Sequence, residues 1–304
     1  MRPQTVSLVR PLVVAVLALG SAGLASPAVA SSRSVDQKLA ADPQGRVEIS
    51  NVAGRVQVQG WDRAEIAVTG TLGEDVERLE FTSEGGRAEV RVVLPKGSRY
   101  WDDGDADLVI RVPARSAVTT SVVSADLESR GVVGRQQIQS VSGNVEAEVA
   151  TESRVNSVSG DVRLEGRGAT RLEVRSVSGN VVVEGAAGEV QARTVSGDAR
   201  LSLGTLSRGQ FGSVSGDVTV GATLAADGRF EAESISGDVD VRLAGKPSGE
   251  FDVETLSGSI ENCFGPKPVE PEHGPGSRLS FREGQGTAIV RIETKSGDVR
   301  LCNR

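Results

Sequence analysis

The sequence predicts an all-β fold: a single-stranded parallel β-solenoid, right-handed, with short coils of about 18–21 residues. Three observations carry this expectation. A six-residue phrase recurs as SVSGNV from Ser140, SVSGDV from Ser157, SVSGNV from Ser176, TVSGDA from Thr194 and SVSGDV from Ser213, then as SISGDV from Ser234, TLSGSI from Thr255 and TKSGDV from Thr294. Its glycines are Gly143, Gly160, Gly179, Gly197, Gly216, Gly237, Gly258 and Gly297, at gaps of 17, 19, 18, 19, 21, 21 and 39 residues. Apolar residues alternate with polar ones after every phrase, the pattern of a strand with one face buried.

Within one repeat, the residues two and four beyond the glycine are mostly Val, Leu or Ile, as in Val145, Val162, Val181, Leu164 and Leu201. The residue five before it is apolar too, from Ile138 to Ile292. The residue two before it is Val, Ile or Leu in seven phrases and Lys295 in the last. If both sets point inward, the odd step between them demands a corner or bulge near the Ser/Thr of the phrase. Each coil is then a strand, a variable turn, a second strand, a corner and the Ser-Gly turn. So short a unit cannot bury its apolar face alone; stacking at about 4.8 Å closes a continuous aliphatic interior. The eight phrase glycines are read as turn residues with positive φ. The Asn or Asp that follows seven of them (Asn144, Asp161, Asn180, Asp198, Asp217, Asp238 and Asp298) is read as hydrogen-bonding to nearby backbone amides. Glycine-aspartate repeats in some β-rolls bind calcium instead, but with a nine-residue period that this chain lacks. No metal site is therefore expected.

Taken in order, the chain begins with a secretory signal peptide over residues 1–30. Arg2 and Arg10 precede an apolar run, and Ala28-Val29-Ala30 is a small-x-small cleavage site. Without Arg2 and Arg10 the formal charge moves from −7 to −9, with 32 basic against 41 acidic residues. That balance disfavours nucleic acid and anionic membranes as partners. No later stretch is long and apolar enough to span a bilayer. Residues 31–44 read as a polar leader. Residues 45–120 read as an irregular N-terminal β section, with NVAGRV from Asn51 as a degenerate phrase. Residues 121–304 carry the regular coils, interrupted by a Pro/Gly-rich insertion at 265–286 that also holds His273, the single histidine.

Candidate chemistry is sparse. SRYWDDGDAD clusters aromatic and acidic residues, so Tyr100, Trp101, Asp103 and Asp105 are candidate ligand contacts, although a solvated turn accounts for them equally. A lone histidine without a nucleophile elbow makes no triad, and two cysteines with one histidine lack zinc spacing. Phosphate and dinucleotide motifs are absent. The expectation is a protein with no catalytic residues and no cofactor. Cys263 and Cys302 each lie five residues after their phrase glycine, and an even count in an exported chain favours a disulfide. If the insertion bulges from one coil, the pair sits on adjacent coils near the open C-terminal end. There Leu279 and Phe281 of RLSF are candidates for a cap.

The Ser-Gly-Asp phrases, RVQVQGWD from Arg55 and the Val112-Pro113 pair resemble a bacterial putative-adhesin family of unknown function. The resemblance covers residues 45–304 and implies a β-solenoid. It also implies an adhesin-like role toward a cell-envelope glycan or protein, as a binding or scaffold protein of the periplasm or cell exterior. It supplies no catalytic residues to carry over. This chain departs from the pattern at 265–286 and at Lys295. The competing reading is a polysaccharide-active β-helix enzyme, a lyase or hydrolase, which needs a groove with clustered charged groups.

Overall fold

The computed structural model describes residues 32–95, 104–245, 247–269 and 275–303, and among them every regular element is a strand. The repeats stack in parallel with their phrases in register. Val145 pairs with Val162, Val162 with Val181, Val181 with Ala199, Ala199 with Val218 and Val218 with Val239. All of these side chains are buried, as are those two residues further on from Ala147 to Val241. The column five residues before the glycine is buried too, from Ile138 to Ile292. Where one coil brings a large residue, its neighbour is small: Gly209 lies in register with Phe230, whose ring packs 5.2 Å from that of Phe211.

The turn glycine follows from how closely the coils approach. Seven of the eight phrase glycines have φ between 129° and 155°, a conformation that L side chains rarely adopt. A Cβ on Gly179 would also run into the carbonyl of Gly160 in the next coil. Gly143 lacks the positive φ, but a Cβ there would collide with the Ala125 carbonyl in the same way. Backbone contact between turns, as well as φ, therefore selects glycine.

The stack begins earlier than residue 121. Strand Arg46–Trp61 pairs in parallel with Ala117–Arg130, bringing Gly54 beside Ala125, so the degenerate phrase is a true coil. The expected boundary at 120/121 falls inside a strand. Ala125 stands at the glycine position, 18 residues before Gly143 and in register with it. Residues 31–44, read as a polar leader, contain strand Arg33–Ala40, which pairs antiparallel with Glu65–Leu72. Val35 and Leu39 alternate with too many charges for that strand to stand out in sequence.

The order of coils at the two ends differs from the order in sequence. Arg46–Trp61 lies between Ala117–Arg130 on one side and the pair Arg87–Val93 and Asp105–Pro113 on the other. At the C-terminal end, Ala288–Ser296 and Val299–Asn303 lie between the Gly237 coil and the Gly258 coil. The last coil in sequence is thus not the last in space, contrary to the expectation that it forms the open end. Beyond the Gly258 coil, Ser277–Glu283 of the insertion pairs antiparallel with Gly249–Ser257. Leu279 is buried there, and Phe281 stacks on Phe251 at 4.7 Å. The insertion is therefore partly a capping strand. At the other end Arg33–Ala40 and Arg78–Glu84 also pair antiparallel, and these outer strands carry Lys38, Arg78, Glu80, Arg278 and Arg282. Charge on an exposed edge discourages pairing with another chain.

Cys263 on the outermost coil and Cys302 on the inserted one are joined in a disulfide, with Cα atoms 4.7 Å apart. The bond secures the returning strand to the Gly258 coil, which precedes it in sequence but lies beyond it in space.

Two outcomes follow from this packing. Gly179→Val should lower unfolding stability by about 3 kcal/mol or more, through backbone strain and the collision with Gly160. Val177→Thr, on the outer surface two residues away, should stay within about 0.5 kcal/mol; equal denaturant midpoints for the two variants would contradict the close approach. Replacing both cysteines by serine removes a cross-link with a sequence separation of 39. In the chain-entropy account this eases opening of the last two coils by about 4 kcal/mol. Hydrogen exchange should then accelerate at 249–303 and leave 140–220 unchanged; uniform acceleration would contradict a local staple.

Candidate functional site

Each phrase produces three side-chain columns. The Ser or Thr three residues before the glycine points inward and is buried in every phrase. In four phrases, those of Ser140, Ser157, Ser176 and Thr194, its hydroxyl donates to the carbonyl of the phrase glycine, as Ser140 does to Gly143 at 2.7 Å and Thr194 to Gly197 at 3.2 Å, whereas the Ser234 and Thr294 hydroxyls make no such bond. In the last two coils the bond crosses between them, from Thr255 to the Gly297 carbonyl at 3.0 Å.

The residue after the glycine forms the second column. The Asp126 carboxylate accepts the backbone N–H of Asn144, Asn144 Oδ1 that of Asp161, Asp161 that of Asn180 and Asn180 that of Asp198, at 2.9–3.2 Å. The ladder runs on through Asp217, Asp238 and Asp298 to Ser259. Asn and Asp are interchangeable here because either supplies the acceptor. The bond goes to the next coil rather than to the residue's own turn, so the column is a coil-to-coil clamp. At its end, Asp298 accepts both the backbone N–H and the hydroxyl of Ser259, at 2.8 and 2.9 Å. These bonds, the backbone one foremost, hold its carboxyl below the usual aspartate value.

The third column is the one that sequence reasoning placed wrongly. The residues two before the glycine point outward: Val123, Val141, Val158, Val177, Val195, Val214, Ile235 and Leu256 are each 40–56% exposed. With the Ser/Thr turned inward, alternation runs unbroken from five to two residues before the glycine, and the break falls at the glycine itself. The signal that reveals this is the Ser or Thr in every phrase, which reads as an inward position once the hydroxyl has a carbonyl to bind. Stacking sets Val123 to Ile235 about 4.8 Å apart along a straight line, and Lys295 of the inserted coil stands between Ile235 and Leu256. From the Gly54 coil to the Gly216 coil they floor a groove of about 780 Å³, walled by Ser121, Gln139, Asn156, Arg175 and Arg193. A contiguous apolar strip on a soluble surface marks an interaction site. Covering one half-exposed valine contributes about 1 kcal/mol.

The residues singled out in sequence lie elsewhere. Asp105 is exposed at the start of its strand, and its carbonyl accepts the N–H of Gly73 at 2.7 Å. Tyr100, Trp101 and Asp103 lie outside the described residues, as do His273 and residues 1–30, where the sequence predicts a signal peptide. Glu261, Cys263 and Cys302 bring metal-type atoms within 4.8 Å of one another. Both sulfurs are consumed in the disulfide, and Arg300 binds Glu261 at 2.8 Å, so the group offers no metal centre. Among the described residues no helix is long and apolar enough to cross a membrane.

With this geometry in place, the comparisons with known proteins can be read. A family model described as Toastrack DUF4097 matches residues 32–302, and the chain belongs to that family. No curated protein matches. Among solved structures, a putative cell adhesion protein from Clostridium sporogenes is 9% identical, with a TM-score of 0.22, covering 90% of this chain and 100% of its own. A putative lipid binding protein from Parabacteroides distasonis is 12% identical, with a TM-score of 0.46, covering 90% of this chain and 98% of its own.

The clamp at Asp298 has a pH signature. Its folded pKa lies below the unfolded value, so its contribution is complete above the ordinary aspartate pKa of about 4 and is lost as pH falls through the folded value. Hydrogen-exchange protection at 299–303, measured against the intrinsic rate at each pH, should therefore fall in acid. Asp298→Asn, which keeps the acceptor without the charge, should flatten that dependence; identical acid profiles for the two proteins would remove Asp298 as the cause.

Proposed function

We propose that the protein is an exported, non-catalytic, right-handed single-stranded parallel β-solenoid that serves the cell envelope as an adhesin-like binding or scaffold protein. The exposed aliphatic ladder is its contact face. The signal-peptide pattern of residues 1–30 and the paired cysteines support export, because disulfides persist in oxidising compartments. One observation carries the binding role: a straight apolar column from Val123 to Ile235 on the outer surface of seven consecutive coils, where a solvated strand face would ordinarily alternate toward polar residues. Polysaccharide cleavage requires convergent carboxylates in the groove, and the floor of this groove is valine. A flat aliphatic strip suits the face of another protein better than a glycan, which is gripped by aromatic stacking and polar groups.

The test compares the wild type with Val158→Thr/Val177→Thr/Val195→Thr, which keeps the β-branched shape at each position. Retention on isolated cell envelopes should fall at least tenfold in the variant with its melting temperature unchanged, and a glycan panel should show no chain cleavage. Cleavage of any glycan, or retention indifferent to the ladder, would overturn the proposal.

A further inference from the structure

The charges that flank the aliphatic ladder are ordered, and their order specifies a partner. Outward positions six and four residues before the phrase glycine run alongside the ladder, and the strand pairings give their sequence through the stack. From the Gly160 coil onward, the column at four before reads Asn156, Arg175, Arg193, Gly212, Glu233, Glu293 and finally Glu254. It is cationic on one side of Gly212 and anionic on the other. The column at six before carries one cation and one anion on each side, Arg154 and Glu173 on the first and Arg291 and Asp252 on the second.

We propose that this face binds a second copy of the same chain, antiparallel, about a two-fold axis that passes through the Gly212 level. The proposal rests on the reading of the ladder as a contact face. The axis lies along the strand direction, so each column meets itself reversed. Arg193 then faces the partner's Glu233, and Arg175 faces the partner's Glu293. In the neighbouring column Glu173 faces the partner's Arg291, and Arg154 faces the partner's Asp252. Along the ladder, Val214 packs on its own copy, Val195 on the partner's Ile235 and Val158 on the partner's Leu256, while Val177 meets the partner's Lys295, the one charged residue in this column, which is paired with Glu293 of its own chain. These columns produce no like-charge pair. Other registers do: an axis one coil away sets Arg193 or Glu233 against itself, and half-coil shifts set Glu173 against Glu231 or Asp252. An isologous contact of this kind has one register that satisfies every charge.

Two further observations support it. Among the described residues, Arg193, Glu233 and Arg291 make no ion pair within their own chain. Gly212 also has no intrachain reason to be glycine. It lacks a positive φ, and a Cβ there would meet only Arg193 Cγ at 3.6 Å and the Glu233 carbonyl at 4.0 Å, which is ordinary contact. A glycine inside a strand commonly marks close approach of another backbone, and Gly212 lies at the symmetry axis. Seven coils at about 4.8 Å by six residues at about 3.3 Å give a face of roughly 600 Å² per copy, above the threshold of about 1,000 Å² in total for a specific interface.

Sedimentation velocity on the purified protein tests this with Arg193→Glu and Glu233→Arg. The wild type should dimerise. Each variant alone places like charges at both symmetry-related contacts and should dimerise at least tenfold more weakly. An equimolar mixture should recover a dimer with an affinity within about threefold of wild type, because the introduced glutamate of one chain meets the introduced arginine of the other while the native pair persists at the second contact. Recovery on mixing also shows that both variants fold. A monomeric wild type, dimers indifferent to both substitutions, or no recovery on mixing would overturn the proposal. If the wild type is monomeric yet envelope retention still depends on the ladder, the self-association fails and the binding role stands; loss of both dependences removes both.

Discussion

Everything in this structure depends on one repeated backbone contact, the parallel hydrogen bonding of each coil to the next in fixed register. The N–H two residues beyond each phrase glycine donates to the carbonyl of the neighbouring coil's Asn, Asp or Ser at 2.9 Å, from Val145 through Val239 to Val299. The side chain at that Asn or Asp reaches onward to accept the N–H of its equivalent in the following coil. Both bonds require turns close enough that only glycine fits between them. Once this register is set, each position in the repeat becomes a column, and any property of a residue type is multiplied along the axis. Valine two before the glycine becomes an apolar strip, serine three before it an internal hydroxyl column, and the outward charges an ordered pattern.

The interior of the stack was legible from sequence because its signal is redundant: eight copies of one phrase, each with the same alternation. The cysteine pair was legible for the same reason, since Cys263 and Cys302 occupy one slot of the repeat. The outward aliphatic ladder was not. Val141 and its equivalents look like core residues because apolar side chains in a strand usually are, and parity alone cannot say on which side of the break they fall. Only Ser140 and its equivalents decide it, through a hydroxyl that is satisfied inside by the Gly143 carbonyl. Strand Arg33–Ala40 was missed because it pairs antiparallel at an edge, where a polar composition is tolerated and period-two signal is weak. The candidate contacts at Tyr100 and Trp101 rested on composition and had no repeat to place them.

The ends obey a different logic from the middle. A stack that stopped at its last coil would present an open apolar interior and an unpaired parallel edge. Here the first and last coils of the sequence are each enclosed by a further coil, and antiparallel strands rich in charge cover what remains. Phe251, Phe264 and Phe281 form an aromatic cluster at the C-terminal end. The cost is topological. The last coil must enter between two coils already made, with the Gly237 coil on one side and the Gly258 coil on the other, and the disulfide holds it there.

The central claim is this register and order, and cross-linking tests it most directly. With the native cysteines replaced by serine, Asp240→Cys/Arg300→Cys places two outward thiols on coils paired in register. Asp240→Cys/Glu261→Cys places them on either side of the inserted coil, because Glu261 also pairs with Arg300. The first pair, at about 4.8 Å, lies within disulfide range and the second, at about 9.6 Å, does not. The account expects rapid closure of the first under mild oxidation and none of the second. Closure of the second pair with the first left open would mean that coils stack in sequence order, and would contradict it.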